Sequence, residues 1–247
     1  MLSKSQIKYI QSLGQKKFRD EQGVFIAEGS KIVFELLTSQ RAKITHLYGL
    51  KEWIEENKQH CYGINTEEIT AGELKKISQL STPRDVLVVV KKIKWHEEIA
   101  APGRITLVLD GIQDPGNMGT IIRIADWFGI TQIVCSRECA DIYNPKVVQA
   151  TMGSIARVRT EYTSLPDWLK KNNRFKIVAT ALEGRPVNTI KKMKEGIVVI
   201  GNESRGINPE IMALCNEKIT VPRLGGAESL NAAVACGIIL SHLTGNE

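Results

Sequence analysis

Three stretches of this chain carry polar residues suited to holding and orienting a ligand, and each follows an apolar run. GIQDPGNMGTIIR contains Asn117, Gly119 and Arg123, IGNESRGINPE contains Gly201, Asn202, Glu203 and Gly206, and VPRLGGAESLNAAVACGIIL contains Gly225, Gly226, Ser229, Leu230 and Asn231. Glycine lets a ligand approach the backbone closely, and free amides at a helix start bind polar or anionic groups. Any one of these loops reads best as an ordinary turn followed by a helix cap. Three of them at strand ends of one sheet read as a composite ligand site. The side chains on offer are Arg, Glu, Ser and Asn, which points to binding and orientation more than to covalent catalysis.

Several other chemistries lack their residues. There is no GxGxxG after a strand, no GxxxxGK[ST] and no GxSxG, which sets aside a usual dinucleotide site, the P-loop NTPases and hydrolases with a nucleophile elbow. Cys61, Cys135, Cys139, Cys215 and Cys236 form no CxxC pair, and His46, His60, His96 and His242 do not accompany them at ligand spacing, so no metal is expected.

The elements that must position the three loops form an alternating pattern. Strands are expected at ITLVLDG, TQIVCS, FKIVATAL, GIVVIGNE and KITVP, and their continuous apolar runs predict a parallel sheet buried on both faces. Helices are expected over 117–129, from Asn144-Pro145, from Pro166 to Lys171, from Val187 to Lys194, from Asn208-Pro209, and from Glu228 to Leu243. In an open α/β sheet ligands bind at the carboxyl ends of the strands, where all three loops lie.

Residues 1–93 alternate in the same way and predict a smaller α/β domain. A helix from Ser3 to Leu13 is followed by a basic turn, GQKKFRDEQG. Strands VFIAEG and KITHLYGL, a short strand around CYGI and a final strand DVLVVVKKI are separated by the helices SKIVFELLTSQ and KEWIEENKQ and by one opened by Thr70 and Glu73 at capping-box spacing. Residues 94–104, with Pro102 and Gly103, lose the periodicity and read as a linker to a domain over 105–247.

The formal charge is +6, and up to Trp95 there are 16 Lys and Arg against 11 Asp and Glu, so the excess lies in the first domain and suits a polyanionic partner such as RNA. No apolar run of 18 residues exists and the start, MLSKSQIKYIQSLGQKK, is polar and basic, so a cytoplasmic protein away from membranes is expected.

In order and spacing, DPGNMGTIIRIADWFGI, VVIGNESRGI and ITVPRLGGAESLNAAVACGIIL resemble the three motifs of the SpoU (TrmH) family of RNA ribose 2′-O-methyltransferases, within the SPOUT superfamily. VFIAEGSKIVFELL and TPRDVLVVV in the first domain resemble the L30e-like substrate-binding domain often fused to it. The resemblance implies S-adenosylmethionine as cofactor, methyl transfer to a ribose 2′-hydroxyl of structured RNA, a C-terminal trefoil knot and a homodimer with sites near the subunit interface. The L30e-like appendage favours ribosomal over transfer RNA. A non-catalytic RNA-binding protein that keeps the knotted fold is the competing class, against which the intact polar motif residues argue. True knots are nearly absent from proteins in general, so periodicity alone cannot show one.

By this resemblance backbone groups around Gly201, Val221 and Leu230 hold the adenine and ribose, with Thr180, Ala181, Leu182 and Ile200 nearby. Asn117, Arg123, Glu203, Ser229 and Asn231 match the family's polar active-site positions, and family proposals make the arginine the base. An arginine guanidinium keeps its proton in water near neutrality, so the physical reading gives Arg123 the task of binding the adjacent phosphate and steadying the developing alkoxide. Many relatives carry methionine where this chain has Arg223. Lys16, Lys17, Arg19 and Arg84 are the expected phosphate contacts of the first domain.

Overall fold

The structure, a computed structural model, describes residues 1–95 and 102–244. In chain order its elements are α1 (Lys4–Ser12), α2 (Lys16–Gln22), β1 (Val24–Glu28), α3 (Ser30–Leu37), β2 (Ile44–Gly49), α4 (Lys51–Glu56), β3 (Asn65–Glu68), α5 (Ala71–Ile77) and β4 (Val86–Lys91). Then follow β5 (Ile105–Leu109), α6 (Pro115–Trp127), β6 (Gln132–Cys135), α7 (Pro145–Thr151), β7 (Arg159–Tyr162), α8 (Leu165–Lys171), β8 (Ile177–Pro186), β9 (Gly196–Ile200), α9 (Pro209–Met212), β10 (Glu217–Thr220) and α10 (Ala232–Leu243). They form two compact units, Met1–Trp95 with Asp141–Ala156, and His96–Ala140 with Arg157–Glu247. Of the expected linker 94–104, residues 96–101 lie outside the described residues.

The first unit is built on a mixed sheet of order β1-β4-β2-β3, antiparallel at β1–β4 and β4–β2 and parallel at β2–β3. Its central strand, VLVVVK, is buried through Val90 because the two faces feed different cores. Val86, Val88 and Val90 join Phe25, Leu36 and Trp53, whereas Leu87 and Val89 join Ile10, Leu13, Leu74 and Ile77. Each such buried aliphatic side chain contributes roughly 1.5–3 kcal/mol of hydrophobic stabilisation.

Residues 141–156, expected in the second domain, supply Val148, Ile155 and Ala156 to the first of these cores. The Asn144 cap of α7 is as expected, with its side chain accepting from the Lys146 amide, but short-range signals do not say which core a helix joins.

The expected turn GQKKFRDEQG is largely the helix α2, closed by Gly23 at φ 64° and anchored inward by Arg19, which is 1% exposed. Residues 61–64 are a turn, and the strand lies one step later as the polar NTEE, ordered by pairing with β2. The expected cap of α5 is present, with Thr70 and Glu73 each satisfying the other's amide.

The second unit is a six-stranded sheet of order β10-β8-β9-β5-β6-β7, and every neighbouring pair is parallel. The five expected strands are present. The sixth, β7, was not expected: RTEY is polar, half-buried and at the sheet edge. On one face Val108, Val134, Ile197 and Val199 pack with Leu165, Leu169, Ile207 and Ile211. Elsewhere α10 packs on α6, where a methyl group on Gly237 would sit 3.7 Å from Ile124. The expected helix over 187–194 is only a short 3-10 turn at Val187–Thr189, and the last helix starts at Ala232 rather than Glu228.

Candidate functional site

In the second sheet β5 has β9 on one side and β6 on the other, so the chain leaves the centre in both directions. The crevice at the carboxyl ends of β5 and β9 is where such a sheet binds ligands. The loop after β5 and the loop after β9 meet there.

The β9 loop is held in shape by Asn202. Its side-chain amide donates to the Gly111 carbonyl at 2.8 Å, and its oxygen accepts from the Ser204 and Arg205 amides at 2.9 and 3.1 Å. Asn202 and Gly206 also pair through their backbones, with Gly206 at φ 67° closing the turn. A Cβ on Gly201 would lie 2.5 Å from the Gly206 carbonyl carbon and 2.6 Å from the Ile207 nitrogen, so any side chain there would push the loop away. A second anchor is Asp110, at the end of β5, whose carboxylate accepts from the Asn208 amide at 2.7 Å. Burial raises the Asp110 pKa from its ordinary value, partly opposed by that amide. Asn202 stands among the polar residues of the second stretch without an assigned role, and Asp110 was not expected among the site residues. Their only sequence signal is a polar side chain next to a strand end in a glycine-bearing loop.

These anchors aim Glu203 at the first turn of α6. The Asn117 side-chain amide donates to a Glu203 carboxylate oxygen, and the Asn231 side-chain amide donates to the Asn117 oxygen at 2.8 Å. Asn117 therefore bridges the second and third loops. It does not cap α6, since Asp114 accepts the Asn117 amide at 2.7 Å and does that. Asn231 does both jobs: its oxygen caps α10 at the Ala233 and Val234 amides while its amide joins the site. Capping fixes the Asn231 backbone at the start of an ordered helix, and this positions its amide for Asn117.

Arg123 lies on α6 six residues beyond Asn117, about 9 Å along the axis. It is exposed, and its side chain has no hydrogen bond or ion pair with another described residue. Ser229 is also exposed, and the structure does not join it to the Asn117 bridge. Arg223 donates to the Ala227 carbonyl at 3.3 Å, a bond within its own loop.

Of the residues expected to hold a cofactor, 180–182, 200–201 and 221 lie at adjoining strand ends. β8 pairs with β10 at Val178–Glu217 and Ala179–Lys218 and resumes at Arg185–Ile219, so residues 180–184 leave the register as a bulge. The Ala179–Val199 pairing sets Thr180 and Ala181 beside Ile200 and Gly201, while Thr220, next to Val221, donates to the Leu182 carbonyl at 3.0 Å. Leu182 and Leu230 are 76% and 45% exposed. Freed backbone groups beside uncovered apolar side chains fit a ligand with a flat apolar ring and a polar edge, such as adenine.

Of the expected phosphate contacts in the first unit, Arg19 is corrected. Its two terminal nitrogens donate to the Leu13 and Gly14 carbonyls at 2.9 and 2.8 Å and form an ion pair with Asp141 at 2.7 Å, while its Nε is buried without a partner, so the guanidinium is enclosed and out of reach of a phosphate. Lys16 and Lys17 are exposed and lie 2.5 and 4.0 Å from Asp20 and Glu21. Arg84 is exposed. Among the described residues no group of His, Cys, Asp and Glu could hold a metal ion, and no helix is long and apolar enough to cross a membrane.

A parallel α/β unit with polar loops meeting at its switch point defines a ligand-binding α/β domain. Residues 104–241 match the SpoU rRNA Methylase family and residues 4–88 match the MRM3-like substrate binding domain. The chain belongs to the SpoU rRNA methylase family. It is 30% identical, over 97% of its length and 96% of the relative's, to the 23S rRNA (guanosine(2553)-2′-O)-methyltransferase RlmP of Bacillus subtilis. Among solved structures, the AdoMet-bound rRNA methyltransferase of Sinorhizobium meliloti is 30% identical with a TM-score of 0.86, covering 98% of this chain and 96% of that one. A TrmH-family protein of Porphyromonas gingivalis is 33% identical with a TM-score of 0.85, covering 99% and 98%.

Proposed function

We propose that the protein transfers a methyl group from S-adenosylmethionine to a ribose 2′-hydroxyl of structured RNA, ribosomal in preference to transfer RNA. The observation that carries the reading is the Glu203–Asn117–Asn231 bridge at the switch point, with Arg123 unpaired on the same helix. The cofactor supplies an electrophilic methyl group on a sulfonium. Residues 180–182, 200–201, 221 and 230 hold it through backbone groups and the two exposed leucines.

Arg123 binds the phosphate next to the target ribose through its planar fork and steadies the oxygen as negative charge develops there. Glu203 and Asn231 fix both ends of the Asn117 amide, so the one N–H that Asn117 has left points in a set direction. Ser229 completes the polar wall as an expected contact to substrate. Lys16, Lys17 and Arg84 supply phosphate contacts of the first unit.

The reading includes a homodimer, a trefoil knot in the second unit and a cytoplasmic location. Supporting the dimer, Trp127 on α6 and Val234 on α10, two helices that pack together, are apolar and 85% and 52% exposed. Supporting the knot, the chain passes from β10 at the sheet edge back to α10 against α6. The cysteines are all free thiols, as suits a reducing compartment.

Incubating the protein with labelled S-adenosylmethionine and ribosomal RNA lacking its own modification, then mapping 2′-O-methyl nucleotides by mass spectrometry, tests the activity. A single labelled ribose is expected. Cofactor binding by calorimetry without any transfer to ribosomal or transfer RNA would sink the proposal in favour of an RNA-binding protein.

A further inference from the structure

The first unit contains an open cavity of about 320 Å³ between α1 and the β2–β3 edge, and it lies outside the site above. Tyr9, His46 and Tyr48 supply rings, and Gln6, Asn65 and Glu67 supply polar edges. The His46 and Tyr48 rings lie two residues apart on one strand, within 6° of parallel and 6.2 Å between centroids. His46 Nδ1 is buried without a hydrogen-bond partner. Gln6 donates to one Glu67 oxygen at 2.8 Å and orients the carboxylate.

The cavity is near the lower end of the ~300–1,000 Å³ range of small-ligand sites, and no Lys or Arg lines it. Its interior therefore offers a phosphate no cation and sets the Glu67 carboxylate against it. A flat heterocycle with hydrogen-bond donors fits, because aromatic rings stack on bases and a carboxylate is an acceptor only. Guanine presents two donors, N1–H and the 2-amino group, on one edge and matches Glu67 best. Lys4 and Lys8, exposed on the same helix, are available to the backbone outside.

We propose that this cavity takes an unpaired nucleobase of the RNA substrate, guanine by preference, stacked against His46 and read by Glu67; the inference rests on the RNA substrate proposed above.

The test titrates guanosine and uridine 5′-monophosphates into the full chain carrying labelled histidine, with S-adenosylmethionine in excess to keep nucleotide out of the cofactor region. The ring resonances are followed by NMR. Guanosine monophosphate is expected to shift His46 and not His242, with uridine monophosphate about tenfold weaker. Glu67→Gln is expected to bring guanosine down to the uridine level, while the His60 resonance, from the same unit but outside the cavity, shows that the variant is folded. No His46 response up to about 10 mM nucleotide, or equal guanosine affinity in Glu67→Gln, overturns the proposal. Transfer to ribosomal RNA is measured separately: transfer without a His46 response rejects the cavity and leaves the methyltransferase reading, whereas a guanosine-selective His46 response without transfer supports the cavity and rejects the activity.

Discussion

Arg19 in the first unit and Arg123 in the second have the same side chain and opposite surroundings. Arg19 is 1% exposed, bonded to two carbonyls and paired with Asp141. Arg123 is exposed on α6, the helix that also carries Asn117, and its side chain has no described partner. A guanidinium enclosed among carbonyls and a carboxylate of its own unit belongs to the fold. One left exposed and unbonded is available to an anion. The difference shows that residue type marks candidates, whereas burial and partners assign the role.

Replacing Arg123 should separate the two arginines most sharply. Arg123→Ala is expected to lower kcat about 100- to 1,000-fold, the cost of losing one charge-stabilising donor, with the thermal midpoint unchanged. Arg123→Lys, which keeps the charge without the fork, is expected to recover little; full recovery would show that charge alone suffices. Arg19→Ala should do the reverse, costing about 3 kcal/mol in a denaturant melt because Asp141 is left without its partner. If its RNA affinity fell while stability held, Arg19 would have to be returned to the surface.

Asn117→Ala cuts the bridge between Glu203 and Asn231, and a drop in kcat of up to about 100-fold with cofactor affinity preserved is expected. Loss of cofactor binding instead would move Asn117 out of the substrate wall. The double variant Lys16→Ala, Lys17→Ala should weaken RNA binding evenly and reduce the slope of log affinity against log salt by roughly 0.7–0.9 for each phosphate that is no longer neutralised. An unchanged slope would remove both lysines from the interface.

The smallest effect concerns Asp20, whose pKa is lowered first by the Lys16 hydrogen bond and then by Lys92. A depressed carboxylate stabilises the fold above its ordinary value near 4 and loses that contribution as pH falls through the folded value. Because Lys16 and Asp20 are exposed, only a few tenths of a kcal/mol are expected between pH 5 and the acid limit. Lys16→Ala should flatten that part of a pH-dependent melt.

Much of the second unit was legible because its strands are continuous apolar runs that declare burial on both faces. Asn117, Glu203 and Asn231 were legible as polar residues after those runs. β7 was not, since RTEY is an edge strand with no apolar signal. The β3 position and the α2 helix were missed for a related reason: pairing with β2 orders NTEE, and a buried arginine rather than an apolar stripe anchors α2.

By itself the sequence determined the local matters: which apolar runs become strands, where Thr70 and Asn144 cap helices, and that three polar loops follow strands of one sheet. These depend on side-chain period and on hydrogen bonds within a few residues. Only the tertiary structure decided that Asn117 spans Glu203 and Asn231, that Asn202 and Asp110 hold the second loop, and that Arg19 is enclosed by its own unit. Those bonds join residues 86, 114, 91, 98 and 122 positions apart, and strand order and packing bring such distant positions together.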